Sequence, residues 1–449
     1  MRQLFGTDGI RGTANQYPMT PELMLNLGKA IARVLSNGKE KPRILIGKDT
    51  RISGYMIECA LTSGICSQGA DVLLVGPMPT PAIAHLTKSF AADAGIVISA
   101  SHNPAEHNGI KIFDKNGFKL SDEVEKEIEK IVLNPETKDE SIKGDKIGKA
   151  HRIDDATGRY IEYAKGTISN NSLEGIKIVL DCANGAAYHV APDIFKELGA
   201  EVIVMNNKPD GLNINLNCGS TYPELLKKRV IEEKADIGIA LDGDADRVIM
   251  VDESGSNVDG DHIMAVCAID LKERCKLNKD TLVATIMSNI GLEIAMKEKG
   301  ISMIRTNVGD RYILDEIKKN NYNFGGEQSG HIIFFDCIPS GDGTITALQI
   351  LNIMKEKSRK LSELKQILKT FPQLIKNIDV KEKKPIEEMK EVIDEIENAK
   401  KELGENGRVI VRYSGTENKC RIMVEGKDKG QIEQIADNIK DKIMQEVGE

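Results

Sequence analysis

GIVISASHNPAEHNGIKIF, residues 95–113, joins two apolar runs through a polar loop. An apolar run, Gly95-Ile96-Val97-Ile98, stops at Ser99-Ala100-Ser101-His102-Asn103-Pro104, and a second short run, Ile110-Lys111-Ile112-Phe113, follows. A continuous apolar run of that length reads as a strand covered on both faces. It delivers two serines, a histidine and an asparagine into a loop that Pro104 stiffens. In α/β units ligands gather at the carboxyl ends of such strands. These residues alone do not separate Ser101 from Ser99 as the reactive hydroxyl.

The same rhythm extends on both sides. Segments 43–47 (RILIG), 71–75 (DVLLV) and 94–99 read as strands, with a helix at 55–69 and a charged amphipathic helix at 123–133. The polar stretch 134–150 reads as a linker. Strands recur at 176–182, 201–205 and 236–241, with helices at 187–198 and 222–234, and again near 282–285, 302–305 and 331–335. After Phe371-Pro372 a Lys/Glu-rich helix at 385–403 precedes strands at 408–413 and 420–426 and a last helix at 431–447. The expectation is three α/β domains with mixed or parallel sheets, 1–152, 153–254 and 255–370, and a smaller α+β domain, 371–449. A chain of 449 residues is too long for one core, which fits four domains.

Composition removes several function classes. The net charge of −8 lacks the basic surface that nonspecific nucleic-acid binding needs. Aromatics are 4% with no tryptophan, too few for a base-stacking platform. No apolar run is long enough to cross a bilayer, and the start MRQLFGTDGIRG lacks a signal-peptide core. The eight cysteines form no C-x-x-C pair, so a reducing cytoplasm is expected. G-x-x-x-x-G-K-[ST], G-x-S-x-G and H-E-x-x-H are all absent, against P-loop, nucleophile-elbow and zincin chemistry.

Three further loops carry chemistry. In ALDGDADRVIMVDE, Asp242, Asp244 and Asp246 alternate with small residues. Spacing of two puts their carboxylates on one side of an extended segment. Clustered carboxylates call for a cation, and oxygen-only ligands favour Mg²⁺, Mn²⁺ or Ca²⁺ over zinc. An EF-hand is excluded because its sixth position is Arg247 rather than glycine. Arg247 beside the triplet suggests an anion there. In NFGGEQSGHIIF, glycines frame Glu327, Ser329 and His331, a sugar-reading loop or equally a glycine hairpin. In RYSGTENKCR, Arg412, Ser414, Gly415, Thr416 and Arg421 have the parts of a phosphate nest, or of a capped hairpin turn. Near the N-terminus GTDGIRGTA offers Arg11 as another anion contact, or is a flexible start.

Taken together, ISASHNPAEHNGIK, LDGDADR, GGEQSGH and RYSGTEN resemble the four signature loops of the α-D-phosphohexomutases, in order and over essentially the whole chain. FGTDGIRG, YPMTPELMLNLGKA and VGDRYI are similar to the branch of that family that acts on an amino-sugar phosphate. The resemblance implies four domains around a central cleft and an isomerase that moves a phosphoryl group between sugar O6 and O1. It implies a phosphorylated Ser101, and one Mg²⁺ per chain held by Asp242, Asp244, Asp246 and the Ser101 phosphate. Lys111, with His102, Arg247 and Arg11, would serve the transferred group. Glu327, Ser329 and His331 would hold the sugar, with Asp310 and Arg311 closing over it, and Arg412, Ser414, Gly415, Thr416 and Arg421 would hold the distal phosphate. A sugar 1,6-bisphosphate would act as activator. The expected partners are small sugar phosphates, with no nucleic acid and no membrane, for a monomer or homodimer. Tyr413 and Asn418 stand where many members carry proline. The alternatives are a glucose- or mannose-phosphate mutase and a metal-dependent sugar phosphatase.

Overall fold

The computed structural model describes residues 3–6, 8–36, 39–134, 142–169, 172–413 and 418–448. The chain forms two compact units, Met1–Met287 with Ile301–Gln366, and Ser288–Gly300 with Ile367–Glu449.

The first unit contains three mixed sheets. The first sheet comprises β1 (Ile10–Thr13), β2 (Arg43–Lys48), β3 (Asp71–Pro77), β4 (Ala94–Ile98), β5 (His107–Asp114) and β6 (Ala150–Arg152), in the order β1-β5-β4-β2-β3-β6. β4, β2, β3 and β6 run parallel, while β5 and β1 return antiparallel. Every residue of β4 is buried, as its unbroken apolar run requires. Ile96 and Ile98 join Leu27, Ile31, Ile57 and Ile128 of the flanking helices in one core. Each fully buried isoleucine contributes about 1.5–3 kcal/mol, which fixes the strand from which Ser101 hangs.

The second sheet holds β7 (Lys177–Asp181), β8 (Glu201–Met205), β9 (Ile237–Leu241), β10 (Val248–Asp252) and β11 (Asn257–Val258), ordered β11-β10-β9-β7-β8. The third holds β12 (Thr281–Thr285), β13 (Ser302–Thr306), β14 (Phe324–Gly326) and β15 (Ile332–Phe334), ordered β13-β12-β14-β15. One feature recurs in all three. A parallel strand ends in a chemically loaded loop, and the chain returns at once as an antiparallel neighbour: β4 to β5, β9 to β10, β14 to β15. Each loop is therefore anchored to the sheet at both ends.

The second unit is an antiparallel sheet of β16 (Gln373–Asp379), β17 (Arg408–Tyr413) and β18 (Lys419–Glu425), ordered β16-β18-β17. Helices Lys390–Leu403 and Lys429–Val447 cover it through Val392, Ala399, Ile435, Ile439 and Ile443. The segment Ser288–Gly300 joins this unit through hydrogen bonds: the Phe371 N–H donates to Asn289 Oδ1 at 3.0 Å, and buried Glu425 accepts from the Ile290 N–H at 3.3 Å.

The α/β reading with a smaller α+β end holds, two local expectations change, and one pair of alternatives is decided. Residues 10–13 form a strand paired to β5 instead of a loose start. Of the two readings of the Gly325-Gly326 stretch, the hairpin is found: Phe324–Gly326 is a buried strand paired antiparallel with Ile332–Phe334, and without side chains its glycines admit close neighbours. The Asp triplet lies on a turn, closed by the Ala245 N–H donating to the Asp242 carbonyl at 3.0 Å and by a left-handed Ala245 (φ 56°). Its carboxylates converge through that turn, and an extended alternation is not what brings them together.

Candidate active site

β4 hands the chain to a loop in which Ser101 is 1% exposed and has a left-handed backbone (φ 53°). That conformation is unusual for a residue with a side chain. It aims the Ser101 hydroxyl at Asp242, donating to Oδ2 at 2.6 Å. Ser99 is occupied elsewhere: its hydroxyl donates to Asp49 at 2.6 Å and accepts the Ser101 N–H at 3.0 Å. Between the two serines, only Ser101 faces the acidic loop. Gly243 makes that approach possible, since a Cβ there would stand 2.5 Å from the Ser101 carbonyl oxygen.

Asp242, Asp244 and Asp246 are all buried, and one oxygen from each lies within 4.8 Å of the others. Their remaining oxygens are tied back. Asp242 Oδ1 accepts the Arg247 N–H, Asp244 Oδ2 accepts from Thr80 Oγ1 at 2.7 Å and Lys111 Nζ at 3.0 Å, and Asp246 Oδ2 accepts from Lys111 at 2.9 Å. Asp244 Oδ1 and Asp246 Oδ1 are buried with no hydrogen-bond partner. Two carboxylate oxygens without a hydrogen bond, Asp246 Oδ1 with only the longer approaches of His331 at 3.6 Å and Arg247 at 3.8 Å, fit a hard divalent cation such as Mg²⁺. Burial, then Asp246 and Asp244, pushes the Asp242 carboxyl well above its ordinary range. Burial also opposes the Asp246 charge, but Lys111 and His331 outweigh it and hold that carboxyl well below.

Lys111 pairs with Val97 across β4 and β5, which carries its amine into this cluster. Burial disfavours its charge, yet Asp244, Asp246 and Asp8 overcome that and raise it well above the usual lysine value, so it stays a cation. His102 Nδ1 lies 3.4 Å from Ser101 Oγ. Burial, Arg247 and Arg11 lower His102 to about 4, so the ring is neutral near pH 7.

A cleft of about 1160 Å³ opens beside the cluster, lined among others by Asp8, Arg11, Lys119, Arg247, Glu327 and His331. Asp8 ties its cations together, pairing with Arg11, Lys119 and, at 3.5 Å, Lys111. Glu327 accepts the Gly309 N–H at 3.0 Å and the Ser329 hydroxyl at 3.2 Å. Buried His331 accepts the Gly341 N–H on Nε2 at 3.1 Å and turns Nδ1 toward Asp246, 3.6 Å away. Asp310 pairs with Lys119 at 2.5 Å. Arg311 turns to Asp122 and to Glu125, the latter at 2.7 Å, bridging the helix Asp310–Asn320 to the first domain. Of the expected residues, Ser101, His102, Lys111, Arg11, Arg247, the three aspartates, Glu327, Ser329, His331, Asp310 and Arg311 thus gather in this region of the first unit.

In the second unit Arg412 and Arg421 face each other across β17 and β18. Burial and the neighbouring Arg421 lower the Arg412 pKa. Like charges in directly opposed positions destabilise a sheet unless an anion offsets them. Ser414, Gly415 and Thr416 lie outside the described residues.

Sequence reading passed over Asp8, Thr80 and Lys119. Asp8 sits three residues before Arg11 in GTDGIRG, where the glycines were the available signal. Thr80 and Lys119 touch partners 164 and 191 residues away, and no local pattern marks them.

Comparison with known proteins identifies the class. The chain matches phosphoglucomutase/phosphomannomutase at all four of its domains: α/β/α domain I over residues 2–139, domain II over 158–255, domain III over 259–371 and the C-terminal domain over 374–442. The same fold occurs in a phosphoglucomutase/phosphomannomutase family protein from Burkholderia thailandensis (TM-score 0.81, 23% identity, 98% of this chain and 97% of that one). It also occurs in the N-acetylphosphoglucosamine mutase of Aspergillus fumigatus, solved with GlcNAc-6P and magnesium (TM-score 0.65, 18% identity, 98% of this chain and 95% of that one). The phosphoglucosamine mutase of Pelobacter propionicus is 53% identical over 451 residues, spanning 100% of both chains. The chain belongs to the phosphoglucomutase/phosphomannomutase family, a family of mutases, and within it to the phosphoglucosamine mutases. The resemblance drawn from the four loops is borne out.

Proposed function

We propose that this chain interconverts glucosamine 6-phosphate and glucosamine 1-phosphate through a phosphorylated Ser101 and a sugar 1,6-bisphosphate. The observation that carries the reading is the Ser101 hydroxyl, 2.6 Å from Asp242 in a carboxylate cluster with two oxygens that make no hydrogen bond. The branch-level identity supports the amino sugar as substrate.

In the first half-reaction the sugar O1 hydroxyl attacks the phosphorus on Ser101. The new O1–P bond forms as the Ser101 Oγ–P bond breaks, and the O1 proton ends on Ser101 Oγ. Neutral His102, 3.4 Å from that oxygen, is placed to relay it. The resulting 1,6-bisphosphate turns over, and Ser101 then attacks the 6-phosphorus. The O6–P bond breaks, O6 takes the proton, and glucosamine 1-phosphate leaves. Phosphoryl transfer asks chiefly for positioning and charge neutralisation. Lys111, fixed as a cation among Asp8, Asp244 and Asp246, supplies a buried positive charge, and Arg11 and Arg247 supply two more. A bound Mg²⁺, held by Asp242, Asp244 and Asp246, would supply charge neutralisation and Lewis acidity toward phosphoryl oxygens. Glu327, Ser329 and His331 are assigned to the sugar, and Arg412 and Arg421 to a phosphate group. Arg311 is assigned to holding the helix that begins at Asp310 against the first domain. No helix among the described residues is long and apolar enough to cross a membrane, and all eight cysteines are free, which supports a cytoplasmic site of action.

The test is a coupled assay for glucosamine 1-phosphate with Mg²⁺ and catalytic sugar 1,6-bisphosphate, run beside glucose and mannose 6-phosphates. A higher kcat/KM on the amino sugar is expected. Preference for another hexose would replace the substrate, net phosphate release would point to a phosphatase, and turnover by Ser101→Ala would remove the nucleophile.

A further inference from the structure

Arg51 is the largest fully buried side chain in the protein's described residues, with no exposed surface. A buried guanidinium has five N–H donors to satisfy and cannot shed its charge. All five are used on one loop and its support. Nε donates to Asp49 Oδ2 at 2.8 Å. Nη1 donates to the carbonyls of Pro104 and, at 3.0 Å, His107. Nη2 donates to the carbonyls of Ser101 at 3.0 Å and Asn103 at 2.8 Å. The four carbonyls belong to the loop between β4 and β5 and to the first residue of β5.

A second domain grips the same two carbonyls. Asn215 Nδ2 donates to the Ser101 oxygen at 2.9 Å and to the Asn103 oxygen at 3.1 Å. Asp49, which anchors Arg51, also receives the Ser99 hydroxyl, and Ser99 receives the Ser101 N–H. Both the N–H and the C=O of Ser101 are thereby fixed, and the residue sits at φ 53°. A non-glycine residue persists in that region when its surroundings over-determine it.

We infer that Arg51, with Asn215, is a positioning clamp that holds Ser101 in its left-handed conformation and so aims its hydroxyl at the carboxylate cluster. Neither side chain touches the reacting atoms; both act through the Ser101 peptide. Lysine cannot replace Arg51, because an ammonium has three donors and no planar fork. The inference rests on the reading of Ser101 as the phosphoryl carrier.

The test uses the full chain and two variants, Arg51→Lys and Asn215→Gly, the second suited to the left-handed backbone at Asn215 (φ 58°). Ser101 loading from glucose 1,6-bisphosphate with Mg²⁺ is followed by peptide mass spectrometry, beside kcat, KM and Tm. Displacing a reacting group by an ångström costs about 10²-fold. Arg51→Lys is expected to slow loading and kcat by about that factor with KM for the sugar phosphate held within about twofold, and Asn215→Gly to act in the same direction. The double variant is expected to lose less than the product of the two, since both hold one peptide. Equal loading rates in wild type and both variants, per folded molecule, would overturn the clamp while leaving the nucleophile in place. A wild-type chain that never takes phosphate onto Ser101 would remove the nucleophile and the clamp together.

Discussion

Thr80 Oγ1 donates to Asp244 Oδ2 at 2.7 Å, and the Thr80 N–H donates to the Asp244 carbonyl at 2.9 Å. The first residue of helix Thr80–Ser89, from the first domain, thus fixes both ends of a cluster aspartate from the second. It engages the oxygen that Lys111 also uses, and leaves Oδ1 open toward the cluster. Partners that orient a metal-binding side chain typically govern 10–100-fold in affinity or activity. Thr80→Val keeps the shape and the backbone bond but removes the hydroxyl. The Mg²⁺ concentration for half-maximal rate should rise by roughly tenfold, read from a Mg²⁺ titration of turnover. An unchanged titration curve would detach Thr80 from cation binding.

Lys111 is the sole lysine bonded to Asp244 and Asp246 among the described residues. Removing one member of a buried ionic set leaves charge uncompensated, at a cost of about 3–5 kcal/mol. Lys111→Met should lower Tm in chelator and abolish turnover. A divalent cation can offset the same carboxylates, so Mg²⁺ should raise Tm more in the variant than in wild type. Thermal melts with EDTA and with Mg²⁺ read both effects. Equal Mg²⁺ shifts in the two proteins would mean that Lys111 and the cation do not share the cluster.

The loops were legible because their chemistry is local. Ser101 and the triplet Asp242, Asp244 and Asp246 follow short apolar runs, Glu327 follows a glycine pair, and all stand among small residues, a pattern visible within a dozen positions. Their convergence was legible only through resemblance, since nothing in GDADR says that Ser101 stands against Asp242. Arg51, Thr80, Lys119 and Asn215 were invisible for the converse reason. Each sits in an unremarked segment and acts on partners 50 to 191 residues away. Lys111 lay between: its place in a short strand was plain, but its depth depends on β5 pairing back onto β4.

Gly243 is where the serine and aspartate loops come closest. A Cβ at this position would meet the Ser101 carbonyl at 2.5 Å and Asn215 Nδ2 at 2.7 Å. The first is backbone and cannot swing aside, and the second is held by its bonds to the Ser101 and Asn103 carbonyls; only Ile214 Cδ1, at 2.9 Å, is a free side-chain end. Gly243→Ala should therefore push the serine loop from the cluster and lower kcat by about 10²-fold, with a smaller change in KM. Steady-state kinetics on glucosamine 6-phosphate decide it. Full activity would show that the loop moves freely, against a rigidly held Ser101.

His85 gives a pH dependence away from the catalytic groups. Its ring stacks on Tyr163 with centroids 3.7 Å apart. Burial, then Lys88, lowers its pKa from the ordinary 6.5 to about 4. The folded chain therefore prefers the neutral ring, and the unfolded chain takes up a proton first as acidity rises. The contribution of His85 to stability is complete above pH 6.5 and is lost as pH falls from 6.5 to about 4. One proton corresponds to at most about 1.4 kcal/mol per pH unit, less here because solvent reaches part of the ring. His85→Phe keeps an aromatic face on Tyr163 and cannot titrate. Between pH 6.5 and 4 its Tm should fall less steeply than that of wild type, and above pH 7 the two slopes should coincide. Parallel curves across the acid range would show that His85 titrates alike in the folded and unfolded chain.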